Sequence, residues 1–327
     1  MPMTRAAARR AAPLILAAAA VALAGCAGGA APGSPAPAGT GAPETTAITF
    51  GILPTPDYAP VQIAIDKGYF ADEGLQVTTQ VINQTAGLGP LLNQSMQVRG
   101  VPWTLFVSSV GQNVPIVAIA PSDVGVLNQG EIMVKADSSI RTLADLDGKK
   151  VAVISTPGNC DLIPLKQLHD EGSAAKPNFV NLGIPDMPAQ LVRGGVDAAC
   201  VPEPTLSALK AQGGFRSIYD LFAGDNQNFP IVGFVGSKAF VDGNPNTVGA
   251  LQGALAKARA DAAADDVVVR AALKEYTQVP PAAIDHMILP RYVETMTPQE
   301  LQVVVDAVRA SGLDPSASIP AGALQLG

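Results

Sequence analysis

The sequence is poor in the side chains that most often carry metal or nucleic-acid chemistry. Its 327 residues include two histidines, three cysteines and one tryptophan, and only 15% of them are charged. His169 and His286 stand apart from any cysteine, second histidine or paired carboxylates, so no metal site is expected. The 21 basic residues are outnumbered by 28 acidic ones, for a formal charge of −7. This balance argues against a nucleic-acid partner, which requires a basic surface.

Long apolar runs are also missing, apart from a short one near the N-terminus. Residues 14–23 form an apolar run of about ten residues, half of what a membrane-spanning helix needs. Arg5, Arg9 and Arg10 precede it, and small residues follow, which is the pattern of a secretory signal over residues 1–25. Loss of these three arginines takes the charge from −7 to about −10. No later run reaches spanning length, so the body of the protein is expected to be soluble.

The cysteine that follows the signal has a context of its own. Leu23-Ala24-Gly25-Cys26 resembles the lipobox of bacterial lipoproteins, in which the cysteine is lipidated and becomes the first mature residue. The alternative is an ordinary signal with a chance cysteine. Residues 26–46 are rich in Ala, Gly, Pro and Ser and are predicted to form a disordered tether. The resemblance implies an exported protein that is anchored to the outer face of the cell membrane through lipidated Cys26.

From Ile48 onward the sequence alternates between strand and helix patterns. Apolar residues alternate at the strand period over residues 48–52, and Pro60 and Gly68 mark the start and the end of a helix. The same rhythm restarts with a strand at residues 151–154 and closes with a helical C-terminal tail. About 280 residues with this alternation predict an α/β fold of one large domain or two lobes.

Three patches of this body carry a family resemblance. They are GILPTPDYAPVQIAIDKGYFADEGLQV, IRTLADLDGKKVAV and PAQLVRGGVDAACVPEP. Their order and spacing resemble periplasmic solute-binding proteins of the nitrate, sulfonate, taurine and thiamine-precursor group. That group usually has G-x-x-D at the end of one helix, where this sequence has Asn93 and Gln97, which indicates an outlying subgroup.

The resemblance implies a two-lobed type II periplasmic-binding-protein fold with a ligand cleft between the lobes. It places the first lobe at residues 47–135 and 230–327 and the second lobe at residues 136–229. The hinge strands are expected near residues 134–137 and 229–232. The helical C-terminal tail is expected to pack on the first lobe.

The loops that follow the predicted strands are expected to meet at this cleft. Open α/β sheets bind ligands at the carboxyl ends of their strands, where the next helices also direct free N–H groups. These loops are rich in hydroxyl, amide and aromatic groups and poor in Lys and Arg. The predicted ligand-binding residues are Thr55, Asp57, Tyr58, Thr85, Trp103, Thr156, Asn159, Glu203 and Phe229.

Several of these residues also have a purely structural interpretation. Trp103 suits packing between the lobes, and Asp57 suits the cap of the following helix. Thr156 and Asn159 suit caps of the helix at Cys160, and Glu203 suits a salt bridge at the hinge.

The polar character of the loops favours a neutral or amine-bearing organic solute over nitrate. A pyrimidine-type thiamine precursor fits carboxylates beside aromatic faces. An alkylsulfonate held by helix N-termini is the alternative, because strong anions are usually met by Arg. No cofactor is predicted.

Cys160 and Cys200 both fall in the second lobe, next to strands expected to be neighbours. A disulfide needs Cα atoms within about 7 Å, which this placement permits, and an exported protein meets an oxidising environment. A disulfide is predicted, with two buried thiols as the alternative.

The leading functional hypothesis is a monomeric transport receptor that passes a small-molecule solute to the transmembrane subunits of an ABC permease. A ligand-sensing lipoprotein is the main alternative. Some pyrimidine-synthesising enzymes resemble this fold and use a pyridoxal-type cofactor with His and Cys-rich motifs, which the loops here lack. The export signal also argues against an enzyme of cytosolic synthesis.

Overall fold

Two β-sheets organise the residues that the structure describes. A computed structural model of the chain describes residues 41–82 and 87–327. Its strands are β1 Ala47–Ile52, β2 Gln76–Val81, β3 Val98–Pro102, β4 Ile116–Val124, β5 Gly130–Lys135, β6 Lys150–Val153, β7 Asn178–Asn181, β8 Ala198–Pro202, β9 Phe215–Asp220, β10 Pro230–Ser237 and β11 Arg291–Tyr292. Its helices are α1 Ala59–Asp66, α2 Tyr69–Asp72, α3 Gly89–Leu92, α4 Trp103–Gly111, α5 Asn159–Asp170, α6 Met187–Arg193, α7 Thr205–Gln212, α8 Lys238–Gly243, α9 Pro245–Ala264, α10 Asp266–Tyr276, α11 Pro281–His286 and α12 Gln302–Ala310.

The first sheet has the strand order β11-β4-β10-β3-β1-β2. β1 runs parallel to β2 and β3, whereas β10 runs antiparallel to β3 and β4. Phe50 packs edge-on against Phe234 of β10, with ring centroids 5.3 Å apart. β4 and β10 are buried along their whole length, because neighbouring strands and helices cover both faces of the sheet there.

The second sheet has the order β7-β6-β8-β5-β9. β6 is parallel to β7 and β8, and β5 is antiparallel to β8 and β9. Each sheet carries its own helices, so the sequence-based prediction of an α/β fold with two lobes is confirmed. The segment between β6 and α5 and the end of β8 lie on the side that faces the first sheet.

The chain crosses between the lobes twice, through residues 125–129 and 221–229. The two crossing segments bind each other, since the N–H of Gly125 donates to the carbonyl of Phe229 (2.9 Å) and that of Asn228 donates to Gly125 (3.0 Å). β5 pairs only with strands of the second sheet. The first lobe therefore ends before β5, and the predicted boundary at residue 135 and hinge at 134–137 are wrong. The sequence of β5, GEIMVK, predicts a strand but does not indicate which of the two sheets the strand joins.

The C-terminal tail packs on the first lobe and also reaches the second. α1 packs against α9 and α10, as expected for a tail on the first lobe. α12, by contrast, packs against both α4 of the first lobe and α5 of the second lobe. The tail therefore contacts both lobes.

The last residues of the predicted tether are held against the first lobe. Glu44 accepts hydrogen bonds from the backbone N–H groups of Asn246 and Thr247 at the start of α9 (3.0 and 2.9 Å). Residues 41–46 are thus held against the first lobe, because this carboxylate satisfies N–H groups that the first helical turn leaves free. The predicted signal at residues 1–25, Cys26 and the remainder of the tether lie outside the described residues.

Candidate functional site

A cleft between the two sheets collects polar side chains from both lobes. The space between its walls amounts to about 670 Å³, a figure that includes the part open to solvent. The polar or charged side chains that line it are Thr55, Asp57, Tyr58, Gln129, Ser155, Asn159 and Glu203. Apolar lining comes from both sheets and from the crossing segments, and includes Leu53, Ile154, Leu221, Phe222 and Ile231.

The first-lobe wall is the loop after β1, and three hydroxyl groups fix its backbone. Tyr276 donates to the carbonyl of Thr55 and Tyr292 to that of Pro56, both at 2.8 Å. Ser122 donates to the carbonyl of Asp57 at 2.5 Å. Both tyrosines belong to the C-terminal tail, so the tail holds this wall in place.

Asp57 is the carboxylate of this wall, and a second carboxyl group lies behind it. The Thr55 hydroxyl donates to Asp57 Oδ2 (2.5 Å), and Gln129 Nε2 lies 3.5 Å from Oδ1. Asp123 on β4 is fully buried, and neither of its oxygens has a well-formed hydrogen bond to a described residue. Burial, reinforced by the adjacent Asp57, raises the pKa of Asp123 well above its usual range. Asp57 is therefore the carboxyl group that faces the cleft, and Asp123 lies buried behind it.

The second-lobe wall is formed by the start of α5 and the end of β8. The Thr104 hydroxyl of the first lobe donates to Asn159 Oδ1 (2.9 Å), and Asn159 Nδ2 donates to the carbonyl of Ile231 (3.4 Å). Cys160 and Cys200 are joined by a disulfide with Cα atoms 5.8 Å apart, and both line the cleft.

Glu203 connects this wall to the C-terminal tail. It is only 2% exposed and accepts from the N–H and hydroxyl groups of Ser207 (2.9 and 2.8 Å). Its Oε1 also accepts from the N–H of Ile288 in the tail (3.2 Å). Burial raises the pKa of Glu203, although the bonds from Ser207 and Ile288 oppose the rise.

The structure brings five of the nine predicted ligand-binding residues together at the cleft: Thr55, Asp57, Tyr58, Asn159 and Glu203. Trp103 does not line it: the side chain is fully buried and packs edge-on against Phe106, with ring centroids 5.4 Å apart. Phe229 is likewise buried away from the cleft, at 1% exposure. Thr156 is exposed and donates to Asn181 (3.3 Å) at the outer edge of the second lobe. Thr85 lies outside the described residues.

Sequence reasoning missed Gln129 and Phe222 because both lie in the crossing segments, whose position was not anticipated. Ser155 was passed over within a loop that was recognised. The adjacent Thr156 was chosen instead, although the strand alternation from β6 turns residue 155 inward. The disulfide was predicted, but not its place in the cleft wall.

Neither a metal centre nor a membrane-spanning helix is found over residues 41–82 and 87–327. No three His, Cys, Asp or Glu side chains in these ranges are arranged to hold a metal ion. No helix there has the length and apolar character to cross a bilayer.

Comparison with known proteins gives a family and several structural relatives. A family model described as NMT1/THI5 like matches residues 55–267. No curated protein matches the sequence. The fold is similar to that of the alkanesulfonate-binding protein SsuA from Xanthomonas axonopodis pv. citri bound to MOPS (18% identity, TM-score 0.71, covering 87% of this chain and 99% of that one).

Two further solved structures share the fold. One is the periplasmic nitrate-binding protein NrtA from Synechocystis PCC 6803 (19% identity, TM-score 0.72, 85% of this chain and 84% of that one). The other is the periplasmic aliphatic sulphonate binding protein SsuA from Escherichia coli (18% identity, TM-score 0.63, 84% of this chain and 90% of that one). At these identities the likeness establishes the fold and leaves the ligand open.

Proposed function

Because the chain belongs to the NMT1/THI5-like family, we propose that it is the extracytoplasmic solute-binding component of an ABC importer. Its lobes close on a small organic molecule, and the transmembrane subunits of the permease receive the molecule from the closed form. The fold shared with sulfonate- and nitrate-binding proteins supports this class of function. The observation that carries the proposal is a cleft between the lobes to which both contribute polar side chains.

Lobe closure provides the mechanism. Asn159 bonds to Thr104, and Glu203 bonds to Ile288, across the gap between the lobes. Such bonds form only when the lobes approach, so they belong to the closed form. A ligand that contacts both walls stabilises that form alone and therefore shifts the equilibrium toward it.

The charges at the cleft favour an amine-bearing ligand. Asp57 and Glu203 bring carboxyl groups from opposite walls, and none of the described lining residues is Lys, Arg or His. An anion would meet the Asp57 carboxylate without a neighbouring cation, which is unfavourable where water is partly excluded. An amino group, by contrast, would donate to it, and a ring would lie in a cleft whose lining includes Phe222 and Tyr58. A pyrimidine-type thiamine precursor has both features.

An alkylsulfonate is the second candidate ligand. It is favoured by the fold shared with two sulfonate-binding proteins and by the start of α5, whose free N–H groups lie at the cleft. Without a basic side chain among the described lining residues, such a site would hold a sulfonate more weakly than an Arg-containing one.

Parallel titrations by isothermal calorimetry separate the two ligands. We expect 4-amino-5-hydroxymethyl-2-methylpyrimidine to bind and ethanesulfonate to bind weakly or not at all. Asp57→Asn should lower the pyrimidine affinity by tenfold or more, because a charge-assisted hydrogen bond is worth about 1.5–3 kcal/mol. The exposed Thr156→Ala serves as the matched control and should bind normally. Tight binding of the sulfonate alone would contradict the ligand class, and equal affinity of the two variants would contradict the role of Asp57.

We further propose that the protein is exported, that Cys26 is lipidated and that the protein is a monomer. A lipid on Cys26 would keep the receptor beside its permease and raise its effective concentration there. We expect Cys26→Ser to release the protein from the membrane fraction. Uptake of the labelled pyrimidine should fall in cells that lack the protein, whereas unchanged uptake would favour the ligand-sensing lipoprotein.

A further inference from the structure

The Cys160–Cys200 disulfide lies in the wall of the cleft. It joins the second residue of α5 to the middle of β8, and both cysteines line the cleft while being 8% and 1% exposed. β8 already pairs with β6, the strand that precedes α5, so the sheet itself brings these two segments near each other.

The residues beside the two cysteines are those that bond to the first lobe. Asn159 immediately precedes Cys160 and bonds to Thr104 and to the carbonyl of Ile231. Glu203 lies three residues after Cys200 and accepts the N–H of Ile288. The disulfide therefore links the two segments of the second lobe that carry these bridging side chains.

The first turn of α5 is weakly held by its own sequence. Pro164 lies inside the helix and has no N–H, so the carbonyl of Cys160 loses its usual partner four residues ahead. Gly158 precedes the helix and has no side chain to cap it. The local support consists of the carboxyl of Asp161, which accepts the N–H of Gly158 (2.7 Å), and of the Leu162 N–H, which donates to the carbonyl of Gly158 (3.1 Å).

We propose that the disulfide is a positioning element of the cleft: it replaces the missing support at the start of α5 and keeps Asn159 and Glu203 aligned with the first lobe. The meaning of this alignment for ligand capture rests on the proposed function. The alignment itself is a property of the ligand-free protein and is tested without a ligand.

Amide hydrogen exchange, measured by mass spectrometry on the full chain, gives the test. The Ile288 N–H reports on the bond to Glu203, and the Leu162 N–H, which donates to the carbonyl of Gly158 (3.1 Å), reports on the first turn of α5. In Cys160→Ser/Cys200→Ser we expect both to exchange about tenfold faster or more, because the bonds open more often. The control, Leu191→Ala, removes a fully buried side chain from the second-lobe core away from the cleft. It should lower the melting temperature and leave exchange at Ile288 unchanged.

A rescue variant separates positioning from general stability. Pro164→Ala restores the N–H that bonds to the carbonyl of residue 160, so in the serine background it should return exchange in the first turn of α5 toward the wild-type rate. Wild-type exchange in the double serine variant would overturn the proposal, as would equal acceleration by Leu191→Ala or an Ile288 amide unprotected in the wild type.

Failure of the double serine variant to fold does not remove the test. Wild-type protein reduced with tris(2-carboxyethyl)phosphine, which is oxidised to its phosphine oxide as the disulfide becomes two thiols, then provides the same comparison. A protein that binds neither pyrimidine nor sulfonate but shows the expected exchange pattern would contradict the proposed ligands and leave the positioning role intact.

Discussion

Replacing Gly100 with alanine tests how the cleft wall is supported. Gly100 lies on β3 against the ring of Tyr58, and a Cβ at this position would lie 2.2 Å from Tyr58 Cε1, where ordinary contact needs at least 3.4 Å. The ring is 2% exposed, and its hydroxyl lies 3.3 Å from the Gly100 carbonyl. The ring therefore has to move within a packed core rather than swing into solvent.

The expected cost follows from this overlap. Adding a methyl group to a well-packed core typically costs about 1–3 kcal/mol, because neighbouring side chains leave their preferred rotamers. For a protein of this size, each kcal/mol lowers the melting temperature by roughly 2–4 °C. Tyr58 directly follows Asp57, so the displaced ring should also weaken binding of the pyrimidine.

Urea unfolding of four variants measures this cost. Gly243→Ala is the matched control, since its added Cβ would meet no atom within 4 Å, and it should be nearly neutral. In the Tyr58→Ala background the space is already empty, so Gly100→Ala should cost less than about 0.5 kcal/mol there. The reasoning is refuted if Gly100→Ala behaves like Gly243→Ala, or if its cost is the same with and without the Tyr58 ring.

Three further outcomes are expected. Burial raises the pKa of Asp161 to about 7 from an ordinary value near 3.8, so its contribution to stability is present below pH 4 and is lost as the pH rises through 7. Asp161→Asn should remove this dependence, worth at most about 3 kcal/mol between the two pH values, in urea titrations at pH 5 and pH 8; parallel curves for the two proteins would contradict it. Trp103 is the one tryptophan and is fully buried, so its emission should be blue-shifted and resist quenching by iodide; ready quenching would place it at the cleft. Glu203→Gln keeps one of two acceptor oxygens and should destabilise the protein by about 1–3 kcal/mol in urea unfolding, whereas an unchanged midpoint would mean that its hydrogen bonds contribute little.

Local patterns predicted much of the architecture because they depend on neighbours in the sequence. The alternation at residues 48–52 predicted β1, which spans Ala47–Ile52. The rule that ligand sites lie at the carboxyl ends of strands placed Asp57 and Asn159 correctly at the cleft. The three patches led to the correct family because their order reflects this topology.

Side-chain direction and long-range pairing were beyond reach. Trp103 follows a strand as a cleft residue would, but it begins α4 with its ring turned inward against Phe106, and adjoining Gly233 leaves room for it. Nothing in the sequence around residue 103 sets that rotation. The pairing of β5 with β8 and β9 links residues far apart in the sequence, so the crossing segments were placed too late and Phe222 was missed.

The two walls of the cleft are held in different ways, and this difference suits a protein that closes on demand. On the first-lobe wall, buried hydroxyl groups of Ser122, Tyr276 and Tyr292 fix the backbone of the loop that carries Asp57. The second-lobe wall reaches the first through the few hydrogen bonds of Asn159 and Glu203 among the described residues. Each such bond contributes only about 0.5–3 kcal/mol net. These hydrogen bonds therefore contribute only a small free energy to closure, and a ligand bonded to both walls adds its own contribution to theirs.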